Sequence, residues 1–379
     1  MNSPGPTPVS RRLLEVLVSF SRSRFAVVGL LIAFLVSACG GQVATQAPSA
    51  SAAPSADGSP TVGSSVAPSV EPSVVPTALS VGLGYIPNVQ FAPFYRAQQA
   101  GYYEAAGLDV TFQNKIDPDL VALVGAGNID VGIADGTSVI PAVSNGIPIS
   151  YIATMYGKFP NVVFAKESTG IRTAADLKGR KIGTPGRYGS GWIMLQALLG
   201  SAGLTTDDVD IVEYPGFTQR IAVSEGAVDA ATGFANNEPV QLELSGDKAT
   251  VLRIDDITPL PGPGLIAGTA ALETKRDAIA AFVAATLRAM KEIKANPAVG
   301  LDAAIVAVPE LAADRDAQAA VLAATIDSWT GPVQTTDGLG AIDSKGWAAS
   351  IDYLTKLGLV PKPVTVGDLV RTDLLPVGG

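Results

Sequence analysis

Short apolar strands alternate with helical stretches from Leu79 onward, and no other feature limits the fold of this chain as strongly. The run Leu79-Ser-Val-Gly-Leu-Gly84 alternates apolar and small residues, which is a strand signal. A helical stretch follows over 91–106, with Pro93 near its start, where proline is tolerated. Next come a strand at 109–113, a helix at 118–126 and a strand at 129–134. A helix at 137–145, closed by Gly146, and a strand at 149–155 complete the series. The cadence then restarts: strand at 181–184, helix at 189–202, strand at 209–214, helix at 218–225, strand at 230–235. Such alternation predicts an α/β fold with mainly parallel sheet, and the restart predicts two lobes. An internal echo supports the restart. Gly127-Asn-Ile-Asp130 and Gly226-Ala-Val-Asp229 each close a helix and feed an apolar strand, which ends in Asp135 or Asn236. After 265 the chain turns helical. Ile279, Phe282, Val283 and Met290 keep helical spacing over 276–295, and further helices are expected at about 298–307, 313–329 and 343–357. A strand-poor helical tail of this kind is expected to pack on an existing lobe.

The cadence does not reach the N-terminus. Residues 1–38 hold Arg11, Arg12, Arg22 and Arg24 against Glu15, followed by an apolar run at 25–36. This is the n-region and h-region of a secretory signal. As a helix the run would rise about 18 Å, short of a hydrocarbon core of roughly 30 Å. Val36-Ser-Ala-Cys39-Gly40 resembles a lipobox, the site at which bacterial lipoprotein signal peptidases cut before cysteine. The resemblance implies a lipid on Cys39, the one cysteine of the chain. Acyl chains at about 0.8 kcal/mol per buried CH₂ give stable anchoring when two or more are present. From 40 to 77 the chain is mostly Ala, Ser, Pro, Val and Gly, with Asp57 and Glu71 as its charges. Regularly spaced prolines forbid a helix and disfavour a sheet, so this segment reads as a disordered tether. The expected organisation is a signal at 1–38, a tether at 39–77, a first lobe at 78–164 and 265–379, and a second lobe at 165–264.

Composition removes several functions. The chain has no histidine, so histidine acid/base chemistry, His-ligated metal sites and Ser-His-Asp or Cys-His arrangements are excluded. A net charge of −9 disfavours an electrostatic nucleic-acid binder. Gly82-Leu-Gly84 lacks the third glycine of a dinucleotide fingerprint, and Pro87 falls where its helix should begin. No cofactor, no metal and no enzyme activity are expected.

What remains is a set of polar and aromatic residues just after strands, where open α/β sheets place their ligands. Tyr85, Asn88 and Phe91 follow the first strand; Asp135 follows the third; Tyr156 closes the fourth. Arg187, Tyr188 and Trp192 sit in the Gly-rich turn that opens the second lobe's first helix, and Asn236 and Glu238 follow its last strand. Each has a plainer role open to it. The aromatics suit a core, Asp135 and Asn236 suit helix N-caps, Arg187 suits a solvated turn, and Glu238 suits a helix dipole. Together, aromatic faces with amide and carboxylate edges suit a flat polar heterocycle.

Three further runs carry a resemblance. Ala100-Gly-Tyr-Tyr-Glu-Ala-Ala-Gly-Leu-Asp-Val110, Gly127-Asn-Ile-Asp-Val-Gly-Ile-Ala134 and Gly170-Ile-Arg-Thr-Ala-Ala-Asp-Leu-Lys-Gly-Arg-Lys-Ile-Gly183 resemble the NMT1/THI5-like solute-binding proteins. The resemblance covers roughly 79–300. It implies a type II periplasmic-binding-protein fold, with two α/β lobes on a two-strand hinge, chain crossings near 160–168 and 260–268, and the helical tail on the first lobe. It implies an extracytoplasmic monomer, anchored to the cell membrane by its lipid, that hands a small solute to an ABC permease. Gly84-Tyr-Ile-Pro-Asn-Val-Gln-Phe-Ala-Pro-Phe-Tyr95, Pro185-Gly-Arg-Tyr-Gly189 and Ala235-Asn-Asn-Glu-Pro239 are most similar to riboflavin-binding members. Binders of thiamine-precursor pyrimidines are close relatives, but often carry histidine where Gln90 and Phe91 stand here. Sulfonate and nitrate binders share the fold and need anion contacts, for which Arg187 is the obvious charge. The pyrimidine synthases of the family use an internal histidine and a cysteine-rich iron site, and this chain has neither. A sensor or interaction module with no transported solute is the remaining class.

Overall fold

A computed structural model of the chain describes residues 75–115, 119–258 and 260–376; the signal-like segment and Cys39 lie outside the described residues. The first half runs β1 (Thr77–Leu83), α1 (Ala92–Gln99), α2 (Tyr102–Ala105), β2 (Leu108–Asn114), α3 (Asp119–Gly125), β3 (Val131–Ala134), α4 (Gly136–Ser144) and β4 (Ile149–Thr154). The chain then crosses to β5 (Asn161–Lys166), β6 (Lys181–Thr184), α5 (Gly189–Ser201), β7 (Asp210–Glu213), α6 (Gln219–Ser224), β8 (Ala230–Phe234), α7 (Glu238–Leu244) and β9 (Ala249–Arg253). It returns as β10 (Gly264–Gly268) and ends in helices α8 (Thr269–Ala295), α9 (Pro297–Ala307), α10 (Arg315–Ser328), α11 (Pro332–Asp337), α12 (Ser344–Lys356) and α13 (Val366–Leu369).

Among the described residues these strands form two five-stranded sheets, ordered β2-β1-β3-β10-β4 and β7-β6-β8-β5-β9. The two orders are the same pattern. In each, three strands pair in parallel and one antiparallel strand, β10 or β5, is inserted between them and the last strand. The α/β architecture is as expected, whereas the sheets are mixed. β5 and β10 carry the antiparallel pairing, and their near-complete burial hides the alternation that marks a half-buried strand. The crossing segments are therefore 155–160 and 254–263; the ranges near 160–168 and 260–268 are largely taken up by β5 and β10 themselves.

One helix expected over 91–106 is three short elements. A 3₁₀ turn at Val89–Phe91 precedes α1, and Gly101 with φ 69° separates α1 from α2. A left-handed residue cannot continue a right-handed helix, and glycine adopts it at least cost. The expected helix over 276–295 is observed as the body of α8, which begins earlier and kinks at Lys275. Its Ile279, Phe282, Val283 and Met290 are all buried, and the Phe282 ring stacks on Tyr103 and Phe94, with centroids at 5.0 and 6.3 Å.

The sequence echo is a structural repeat. Gly127 and Gly226 both take φ near 74° (74° and 73°), ending α3 and α6. Asp130 and Asp229 then turn back to the neighbouring strand: Asp130 Oδ2 accepts from Ser80 N at 2.8 Å, and Asp229 Oδ2 from Lys181 N at 2.9 Å. Asp130 also accepts from Ser80 Oγ at 2.9 Å and from Lys275 Nζ at 3.0 Å, fastening α8 at its kink. The tail packs mainly on the first half, through α1, α4 and β4. It also reaches the second, where α10 packs on α7 and Tyr353 Oη donates to Ala197 O at 3.4 Å.

Partial burial tends to raise the Asp130 carboxyl, but the hydrogen bonds from Ser80 and Lys275 outweigh it and hold it below the usual carboxylate range. A depressed folded pKa stabilises the protein above the unfolded value of about 3.9, and that contribution fades as pH falls through the folded value. Asp130→Asn should thus cost about 2 kcal/mol at pH 7. In urea titrations across pH, the gap to the unmutated protein should close below about pH 4.

Candidate functional site

A cavity of about 1190 Å³, counted to its open mouth, lies between the two sheets. It sits at the carboxyl ends of β1, β3, β6 and β8, as expected for parallel strands whose following loops converge. Eight aromatic side chains share its wall. Tyr85, Phe91 and Phe94 come from the first half, Tyr156 from the crossing, and Tyr188, Trp192, Phe217 and Phe234 from the second half. Tyr85 and Phe217 meet edge to face across the cleft, with ring centroids 4.9 Å apart.

Polar groups from both halves share the wall. Asp135 is 4% exposed and Glu238 6%. Asp135 caps α4: its Oδ1 accepts from Thr137 N at 2.9 Å and Ser138 N at 3.3 Å, and from Thr137 Oγ1 at 2.5 Å. Its Oδ2 faces Asn161, whose Nδ2 lies 3.5 Å away and donates also to Ser190 Oγ at 3.2 Å. Glu238 Oε2 accepts from Phe234 N at 2.7 Å. Burial pushes the Glu238 carboxyl above the usual range, against that hydrogen bond. Gln90 Oε1 accepts from Asn236 Nδ2 at 2.7 Å and from Tyr156 Oη at 3.5 Å. Gln90 also lines the cavity. Gln219, also in the wall, donates from Nε2 to Thr232 O at 3.3 Å, and its buried Oε1 meets no protein donor.

Seven of the ten residues singled out in the sequence line this cavity: Tyr85, Phe91, Asp135, Tyr156, Tyr188, Trp192 and Glu238. Three are placed elsewhere. Asn88 Oδ1 accepts from Gln90 N at 3.0 Å and caps the 3₁₀ turn. Arg187 Nε donates to Glu213 Oε1 at 3.1 Å, with its guanidinium 5.5 Å from the Trp192 ring centroid, so it braces a wall residue from behind. Asn236 ties the halves together: besides Gln90, its Nδ2 donates to Thr325 Oγ1 of α10 at 2.8 Å. The cavity also holds residues that no sequence signal marks. Asn161 opens a strand that only tertiary pairing reveals, and Gln219 and Thr232 are brought in from α6 and β8. Phe217 has φ 57°, the one positive φ outside glycine among the described residues. Left-handed backbone is costly for a bulky side chain and clusters at functional sites. Among the described residues no group of three or more His, Cys, Asp or Glu side chains is placed to hold a metal.

The family described as NMT1/THI5 like matches residues 88–299. The riboflavin-binding protein RibY of Chloroflexus aurantiacus is 33% identical over 360 residues, covering 94% of this chain and 98% of that protein. The 4-amino-5-hydroxymethyl-2-methylpyrimidine phosphate synthase of Aspergillus parasiticus is 29% identical, covering 56% of this chain and 65% of that enzyme. Among solved structures, the alkanesulfonate-binding protein SsuA of Xanthomonas axonopodis pv. citri, bound to MOPS, superposes with a TM-score of 0.60 at 18% identity. That match covers 78% of this chain and 99% of SsuA. The sulphonate-binding SsuA of Escherichia coli gives a TM-score of 0.59 at 20% identity, over 78% and 92% of the two chains. These likenesses establish the periplasmic-binding-protein fold.

Asn236→Ala should remove its two bonds to the first half and lower stability by about 1 to 2 kcal/mol. Small-angle scattering should show a larger radius of gyration as the cleft opens. Phe217→Gly relieves the strained backbone, so its thermal midpoint should hold or rise while any ligand that rests on this wall binds more weakly.

Proposed function

The chain belongs to the NMT1/THI5-like family, and from that premise we propose that it is a solute-binding protein of an ABC importer that closes over riboflavin. The observation that carries this reading is the cavity itself: aromatic faces from both halves, interspersed with amides and carboxylates. A three-ring heterocycle supplies flat area for the faces. Its carbonyl and imide groups supply acceptors and a donor for Gln90, Asp135 and Asn161. Tyr85, Phe91, Tyr156, Tyr188 and Trp192 act as stacking or wall residues, and Asp135 and Glu238 as orienting groups. Asn88, Arg187 and Asn236 support them from outside the cavity. The riboflavin-binding relative matches over nearly the whole of both chains, which supports the same solute here.

With β5 in the second sheet and Gly264 in the first, the halves that act as lobes are 78–154 with 264–379 and 161–253, and the segments 155–160 and 254–263 act as the hinge between them. Closure buries the ligand and presents a matched face to the permease. Cys39 carries the lipid, and the Ala/Ser/Pro-rich segment gives the folded body reach above the outer face of the membrane. The protein works as a monomer and as a binder, not an enzyme, since a chain without histidine cannot use the family's histidine chemistry. A thiamine-precursor pyrimidine is the second reading, favoured by the likeness to pyrimidine phosphate synthases over about half of the chain.

Purified protein without its lipid should quench riboflavin fluorescence at saturation and gain thermal stability in proportion to ln(1 + [L]/Kd). Trp192→Ala or Tyr156→Ala should weaken binding about tenfold. Binding of the aminopyrimidine with no response to riboflavin would promote the second reading.

A further inference from the structure

The charges facing the cavity are all of one sign. Asp135 and Glu238 line it, both more than nine-tenths buried, and among the described residues no lysine or arginine does. Arg187 is drawn away by Glu213 and the back of Trp192. Arg220, whose field reaches Glu238, does not line the cavity either. The helix N-termini of α4 and α7 at the cavity already carry Asp135 and Glu238; that of α5, at Gly189, Ser190 and Gly191, carries no acid, and Tyr188 supplies it no side-chain cap. A helix of this length ends in roughly half a positive charge and, left alone, would attract an anion. It is not left alone. The Asn161 amide spans from Ser190 Oγ, at 3.2 Å, to Asp135 Oδ2, at 3.5 Å. The Asp135 side chain is thus held one side chain away from that helix end. A carbonyl oxygen can still accept hydrogen bonds there, because it brings only a dipole. A phosphate or sulfonate brings a charge that Asp135 repels in a low-dielectric cleft.

We propose that the cavity is a charge filter, in which Asp135 sets specificity by admitting the uncharged heterocycle and rejecting its phosphate ester or a sulfonate. This rests on the heterocycle reading above and adds a selectivity that the fold alone does not carry, since sulfonate-binding proteins share it. It also sets the order of events in use: any phosphorylation of the solute must follow uptake, because a kinase product presented outside would not be captured.

The test is calorimetric titration of the full folded body and its Asp135→Asn variant with matched pairs. The pairs are riboflavin with riboflavin 5′-phosphate, and 4-amino-5-hydroxymethyl-2-methylpyrimidine with its phosphate; MOPS serves as a free sulfonate. Asparagine caps helices as well as aspartate does, so the variant should fold. The unmutated protein should bind the neutral member at least tenfold more tightly than the phosphate, and Asp135→Asn should shrink that ratio by about tenfold. A role in shape alone would weaken both members together and leave the ratio unchanged. Equal affinity within a pair, or MOPS binding by the unmutated protein, overturns the filter. If neither neutral heterocycle binds, the heterocycle reading fails. The filter is then decided by MOPS, which should bind Asp135→Asn and not the parent. Should Asp135→Asn fail to fold, Asp135→Ser, which keeps a capping oxygen without the charge, is read by the same ratios.

Discussion

The return strand β10 holds the rest in place. It enters the first sheet between β3 and β4, antiparallel to both, and all five of its residues are buried. Tyr151 of β4 packs where a Gly264 side chain would stand, so only glycine permits the pairing. Tyr151 Oη donates to Gly262 O at 3.0 Å, across 111 residues of sequence. Gly262 in turn sits against the Tyr156 carbonyl, and Pro261 O accepts from Gly136 N at 3.0 Å. Two cavity residues, Asp135 and Tyr156, are therefore set by a segment that arrives more than a hundred residues later. In the second sheet the antiparallel strand β5 comes first in the chain and waits for β8 and β9, and its first residue, Asn161, reaches back to Asp135. Such exchange has a kinetic cost, because both sheets need long loops closed before they are complete.

The site is acidic on both sides. β3 and β8 occupy the same place in their sheets, and each is followed by a carboxylate that serves the local backbone. Asp135 caps α4, and Glu238 returns to Phe234 N. For Asp135, helix capping and cavity lining are not alternatives. One oxygen satisfies the helix and the other faces Asn161 and the cleft. Stability and ligand selection then share a residue, and the family's common fold can carry different solutes through the side chains at these loop ends.

Much of the fold is legible in the amino-acid sequence. The strand–helix cadence, the Gly-x-x-Asp echo and the spacing of Ile279, Phe282, Val283 and Met290 all depend on local periodicity, which sequence records directly. The antiparallel direction of β5 and β10 is not. Their residues are buried on both faces, so no alternation marks them, and their direction is a property of their partners. Gly101 is visible as a residue but not as a break, since glycine inside a helical pattern is often tolerated.

For the site, sequence alone determined chemical type and approximate place: aromatics and acids just after strands, no histidine, and few cations near them. Only the tertiary structure decided which side chains share one cavity. It turned Asn88 to a cap, Arg187 to Glu213 and Asn236 to Gln90, and it brought in Asn161, Phe217 and Gln219. The physical reason is that residue type is local, whereas orientation follows from hydrogen bonds and packing between segments that meet only when both sheets have closed.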